Sequence, residues 1–204
     1  FSMDGDLAPV GEMQALAARY DAWLMTDDAH GIGVLGGGSG SNHLDGNHTP
    51  VPLQMGTLSK AIGGYGGYLC AAQPVIDLMR TRARTFIYST GLPPASVAAS
   101  IAALDVIAQY PDYAALPVVK ARLFCAAAGL PEPQSCIVPM LLGDPERTLA
   151  ASRMLEGLGY LVTATRPPTV PEGTARLRFT FTAVHDNDDI LRLAEAVKPL
   201  IAAA

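Results

Sequence analysis

Short apolar runs of strand length alternate with helix-period segments along the chain, and the first runs end where polar chemistry begins. Residues 22–27 (AWLMTD) close on a carboxylate, residues 51–56 (VPLQMG) lead into Thr57 and Lys60, and residues 66–72 (GGYLCAA) form a third run. Runs of this length bounded by turn residues read as strands. Val10, Met13, Leu16, Ala17 and Tyr20 recur at helical spacing and predict a helix over 9–21. Further helices are expected over 74–84, with Pro74 in the first turn, and over 93–110 as a long buried helix. Residues 114–129 suggest another, interrupted or started at Pro117. Residues 135–143 read as a strand, and Asp144-Pro145 as the N-cap and N1 pair of a helix stopping near Gly159. Residues 160–166 and 175–182 alternate as strands do, the latter pointing Leu177, Phe179 and Phe181 one way. A final helix carries the stripe Ile190, Leu191, Ala194, Val197 and Ile201, capped by Asp186 or Asn187. Strands alternating with helices throughout mean α/β, with a domain boundary near 108–113.

Composition narrows the function classes. Hydrophobic residues make up 50% and charged residues 16% of 204, which is ordinary for a packed globular chain and not for a disordered one. A net charge of −5 leaves no basic footprint for nucleic acid. No apolar run is long enough for a transmembrane helix, so no membrane role is expected. Cys70, Cys125 and Cys136 are odd in number, far apart and in no C-x-x-C pair. They predict neither a disulfide framework nor a zinc site, and they fit a reducing cytoplasm. The opening FSMDGDLAPV has no basic n-region and no cleavable signal pattern.

Two places carry candidate chemistry. Residues 27–50 are glycine-rich and polar, a long loop of the kind that is often functional. At its start, Asp27 with His30 reads as a structural turn, a catalytic dyad or half of a metal site. His43 and His48 permit the metal reading, but their spacing matches no defined ligand motif. The second place is GTLSKAIGG (56–64). Lys60 there is either a plain loop lysine or a Schiff-base lysine activated by partial burial. An Asp at one strand end, a His just beyond and a Lys after the next strand would meet at one edge of the sheet. A cofactor with a basic ring nitrogen, a phenolic oxygen and an aldehyde uses all three.

FSMDGD, DDAHGIGVLG, GTLSKAIGG, IYSTGLPP and RPPTVPEGTARLRFTFTAVH, in that order, resemble the α-oxoamine synthases, pyridoxal phosphate (PLP) enzymes of fold type I. The resemblance runs from residue 1 to about residue 200. It implies the aspartate aminotransferase-like PLP-dependent transferase fold. Residues 1–110 would be part of the large mixed-sheet domain, and residues 111–204 a smaller α/β C-terminal domain. It implies a decarboxylative condensation of an amino acid with an acyl thioester. RPPTVP (166–171) favours the members that join L-alanine to a pimeloyl thioester in biotin synthesis over their glycine-using relatives.

By the resemblance, Lys60 matches the lysine bonded to the cofactor aldehyde, which also shuttles the substrate Cα proton. Asp27 matches the carboxylate paired with the ring nitrogen; His30 and Ser2 match residues near the phenolic oxygen. Thr57 matches a phosphate ligand, and Ser89 and Thr90 a pair reaching the phosphate from a neighbouring subunit, so a homodimer with a shared site is implied. Arg178 matches the clamp on the amino-acid carboxylate, and Thr169 lies along the acyl or product site. No metal is implied. Asp28, next to Asp27 on an extended chain, faces the other way and is assigned a structural hydrogen bond. Tyr65 and Tyr68 are assigned to packing around a glycine-rich turn. The family's members carry a further N-terminal stretch with a glycine-rich phosphate turn and a His that stacks on the ring. Residues 1–204 alone are therefore not expected to complete the pocket, and a non-catalytic piece that only pairs with a partner subunit is the competing reading.

Overall fold

The structure, a computed structural model, describes residues 1–202. They form two compact units, one of Ala8–Ala115 and one of Phe1–Leu7 together with the chain from Leu116 onward.

In the Ala8–Ala115 unit, α1 (Val10–Arg19) precedes β1 (Met25–Asp27), β2 (Leu53–Thr57) and β3 (Gly67–Ala71). β1 pairs parallel with β2, Met25 opposite Leu53 and Asp27 opposite Met55. β3 returns antiparallel, Thr57 opposite Gly67 and Leu53 opposite Ala71. The result is a mixed sheet in the order β1-β2-β3. Because β1 and β2 run the same way, their C-terminal ends lie side by side, the edge at which open α/β sheets bind ligands. α2 (Gln73–Arg82), the short α3 (Arg84–Ile87) and α4 (Pro94–Gln109) follow. α5 spans Pro111–Ala128.

The loop after β1 is built around Asp28. This buried carboxylate accepts the Ser41 amide on both oxygens, at 3.1 and 3.0 Å. Gly31 and Gly40 let the backbone close on it, for a Cβ would sit 2.0 and 1.8 Å from its oxygens. Two 3-10 turns, Gly36–Gly38 and Ser41–Gly46, complete the loop.

In the second unit β4 (Ile137–Gly143), β6 (Ala175–Thr180) and β5 (Thr163–Thr165) form an antiparallel sheet in the order β4-β6-β5, with α6 (Pro145–Gly157) and α7 (Asn187–Ala202). Leu177, Phe179 and Phe181 are all buried, as the alternation predicts, and Phe124 packs its ring 4.8 Å from Phe179 and 5.1 Å from Phe181. Each such side chain contributes about 1.5–3 kcal/mol by leaving water. Asp144 caps α6 by accepting the Arg147 amide at 2.7 Å, and Asp186 caps α7 by accepting the Asp188 amide at 2.8 Å.

Four local expectations change. α4 is not buried: Val97, Ile101, Leu104 and Val106 are exposed, and only Ser100 is covered. Periodicity reports an apolar surface, and here the small-residue side is the one that packs. α5 starts at Pro111 and runs unbroken through Pro117 instead of being interrupted or started there. The strand expected over 160–166 is only Thr163–Thr165, with Leu161 left exposed. Finally, residues 1–7, which the sequence assigns to the 1–110 segment, join the unit of the later segment. They are tied there by the Leu7 amide to Gln134 Oε1 at 2.8 Å and by contacts to β6 described below. Among the described residues no helix is long and apolar enough to cross a membrane.

Candidate active site

Asp27 closes β1 with its carboxylate exposed, Oδ1 accepting the Ala29 amide at 2.9 Å. No cation lies within ion-pair distance of it among the described residues. Asp28 takes the opposite face, as expected, and serves the loop. Burial pushes its carboxyl above the usual range, with the Ser41 hydrogen bonds pulling the other way. His30 follows, half-buried in the same turn. His43 and His48 stack on each other at 4.4 Å, and His43 Nδ1 lies 2.9 Å from Asn42 Oδ1. Among the described residues no group of three or more His, Cys, Asp or Glu side chains is arranged to hold a metal ion.

The lysine turn springs from the end of β2. Thr57 Oγ1 donates to the Gly66 carbonyl at 3.0 Å and lies 2.7 Å from Ser59 Oγ. Gly64 donates to the Leu58 carbonyl at 2.6 Å, folding residues 58–64 into a tight loop with Ile62 buried beneath it. Gly63 takes φ +69, and a Cβ on Gly64 would meet Ser100 Oγ at 2.3 Å, so α4 is the floor of this turn. Lys60 is exposed instead of partly buried. Of the chain's three lysines, Lys120 is hydrogen-bonded to the His185 carbonyl and Asn187, and Lys198 is paired with Glu195. Lys60 alone has no such partner among the described residues.

Sequence reasoning treated Tyr68 as plain packing. In the structure its ring lies across Gly56 of β2, where a Cβ would be 2.4 Å from its hydroxyl. Burial first, then the negative fields of Asp28, Cys70 and Asp27, push its phenol up to about 12. Only the glycine at position 56, on the same face as Tyr68 opposite it, hinted at this. Ser89 and Thr90 are exposed after α3, with Ser89 hydrogen-bonded to the Thr85 carbonyl.

The remaining candidates belong to the other unit. Arg178, half-buried on β6, donates from Nε to the Ser2 carbonyl at 2.6 Å and from Nη1 to Thr180 Oγ1 at 3.1 Å. Among the described residues no carboxylate pairs with it. Burial lowers its affinity for its proton, while the nearby Cys136 acts the other way. Its strand neighbour Arg176 is not a surface charge: it is buried and ion-paired with Asp4. Thr169 is exposed, its amide donating to the Arg166 carbonyl at 3.0 Å.

The donor set at the end of β1 and β2 fits PLP. Among the described residues it offers an anion without a cation for a protonated ring nitrogen and an amine without a partner for an aldehyde. Lys60 and Thr57 sit on a turn stripped of bulk by its glycines.

Comparison with known proteins agrees. The aminotransferase class I and II family model matches residues 1–197. An 8-amino-7-oxononanoate synthase of Methylocella silvestris is 65% identical over 98% of this chain and 57% of its own length. A serine palmitoyltransferase of Sphingomonas wittichii superposes with a TM-score of 0.91 at 27% identity, over 100% of this chain and 53% of its own. Another, from S. paucimobilis with PLP and myriocin bound, gives 0.89 at 28% identity over the same shares. The chain thus spans about half the length of the curated relatives it matches. With Asp27 at the end of one strand and the turn of Lys60 following the end of its parallel neighbour, and a family match over residues 1–197, the chain belongs to the aminotransferase class I and II family and shares its fold type I architecture.

Proposed function

We propose that this chain carries the reacting residues of an 8-amino-7-oxononanoate synthase. Its reaction joins L-alanine to a pimeloyl thioester, on coenzyme A or a carrier protein, with loss of CO2, in biotin synthesis. The observation that supports this most is the 65% identity to a relative of that name over a stretch that includes Asp27 and Lys60.

When bound, PLP supplies an electron sink for the charge left at the substrate Cα. Asp27 holds the ring-nitrogen proton through opposite charge at close range. Lys60 would hold the cofactor aldehyde, and its amine would take the Cα proton and return a proton to Cα once CO2 has left. Arg178 presents a planar fork to the alanine carboxylate, a bidentate match that a lysine cannot copy. As the new Cα–acyl carbon bond forms, the thioester C–S bond breaks and the thiol leaves. Thr57 would hold the cofactor phosphate, with Ser89 and Thr90 reaching it from the second subunit of a homodimer. His30 and Ser2 attend the phenolic oxygen, and Thr169 lines the acyl path. The reading places the enzyme in the cytoplasm, with Cys125 and Cys136 as buried free thiols.

The likeness to serine palmitoyltransferases favours one competing reading, a glycine or serine acyltransferase. Competition of L-alanine, glycine and L-serine for pimeloyl thioester in the holoenzyme separates them. Preference for alanine supports the proposal, and preference for serine or glycine overturns it.

A further inference from the structure

Two arginines two residues apart on β6 grip the opening turn of the chain at two points, and the grip reaches the carboxylate clamp. Arg178 Nε donates to the Ser2 carbonyl at 2.6 Å. Arg176 Nη1 is ion-paired with Asp4 and donates to the Met3 carbonyl at 3.3 Å, while its Nε donates to the Thr174 carbonyl at 3.0 Å. Arg176 is 4% exposed, whereas the Asp4 side chain is 57% exposed, so a buried cation is tied to a carboxylate that reaches in from solvent. The turn itself is stiff. Gly5 donates to the Phe1 carbonyl at 2.8 Å with φ +71, pressed so close to β4 that a Cβ would lie 2.1 Å from the Ile137 oxygen. The Ser2 carbonyl, which accepts from Nε, faces one edge of the Arg178 guanidinium. With Nε spent on Ser2 and one Nη1 hydrogen on Thr180 Oγ1, the remaining Nη hydrogens form the edge left for a ligand.

We infer that Asp4 and Arg176 are a positioning pair that holds the Ser2 carbonyl against Arg178 and so aims its guanidinium at the amino-acid carboxylate. The inference rests on the carboxylate role proposed for Arg178. Neither residue touches substrate; both act through the turn. Without the Asp4 charge, Arg176 keeps only backbone carbonyls, the turn loosens, and Arg178 presents its fork in many orientations. Bidentate recognition is sensitive to such misalignment.

The test compares binding of L-alanine and of its uncharged isostere L-alaninamide to the PLP-loaded holoenzyme, by the shift in cofactor absorbance. The affinity ratio isolates the carboxylate contact. Asp4→Asn is expected to lower that ratio roughly tenfold, within the range of one charge-assisted hydrogen bond, and Asp4→Glu to restore most of it. Asp144→Ala, which removes the α6 cap in the same unit, lowers the melting temperature without moving the ratio, and so shows what lost stability alone does. Arg178→Ala should abolish the preference for alanine. If Asp4→Asn leaves the ratio intact while Arg178→Ala abolishes it, the positioning role is overturned and the carboxylate role stands. If Arg178→Ala itself leaves the ratio intact, the proposed carboxylate role fails and the inference with it.

Discussion

Replacing Asp28 should expose what holds the Asp27–His30 turn in place. Asp28→Ala removes the sole acceptor of the Ser41 amide, whose two contacts at 3.1 and 3.0 Å count as one shared donor. A hydrogen bond to a charged group is worth about 1.5–3 kcal/mol, and leaving the amide unsatisfied near Gly31 and Gly40 sets the loss in the upper part of that range. The loss should depend on pH. Burial raises the folded carboxyl above its ordinary 3.8, so the folded state takes up the proton more readily than the unfolded one. The native Asp28 therefore stabilises most below 3.8, and part of that contribution is lost as pH rises through the folded value. The gap in melting temperature between wild type and Asp28→Ala should accordingly be widest in mild acid and narrow toward neutrality. Differential scanning calorimetry of both holoenzymes from pH 4.5 to 8 reads this directly. No gap at any pH would refute the anchoring role, and a gap that widens with pH would refute the claim that burial dominates the Asp28 titration.

Two further outcomes follow from packing and burial. Phe124→Ala opens a hole between Phe179 and Phe181, and truncation of so buried a ring costs about 3–5 kcal/mol, to be read as a lowered unfolding midpoint in urea. Cys125 and Cys136 are buried with their thiols pushed up, Cys125 to about 11, so both should resist a disulfide reagent at pH 7.5 until denaturant is added.

Legibility followed the range of the interactions. β6, α7 and the Asp144 cap were plain because their signals are local: alternation, an i, i+3, i+4 stripe, an Asp-Pro pair. The nearness of the two strand ends was legible, and the parallel register of β1 and β2 makes them neighbours. Contacts across long sequence separations were not. Nothing in FSMDGD announces that Asp4 meets an arginine 172 residues away, nor that Arg176 is buried while Arg178 lacks a carboxylate. The exposed face of α4 was misread because apolarity calls for a cover without saying what supplies it. Asp28 was read correctly as structural. The glycines at 31 and 40 that make room for it were conspicuous in the loop, but their target was not.

Lys60 remains the residue on which the catalytic reading turns. Borohydride reduction of the holoenzyme, followed by peptide mapping, should place the cofactor mass on the peptide containing Lys60 and nowhere else, and Lys60→Ala should remove it. Lys120 and Lys198 are engaged elsewhere and should stay unlabelled. Cofactor mass on either of them, or a reduced holoenzyme with no labelled lysine, would contradict the assignment.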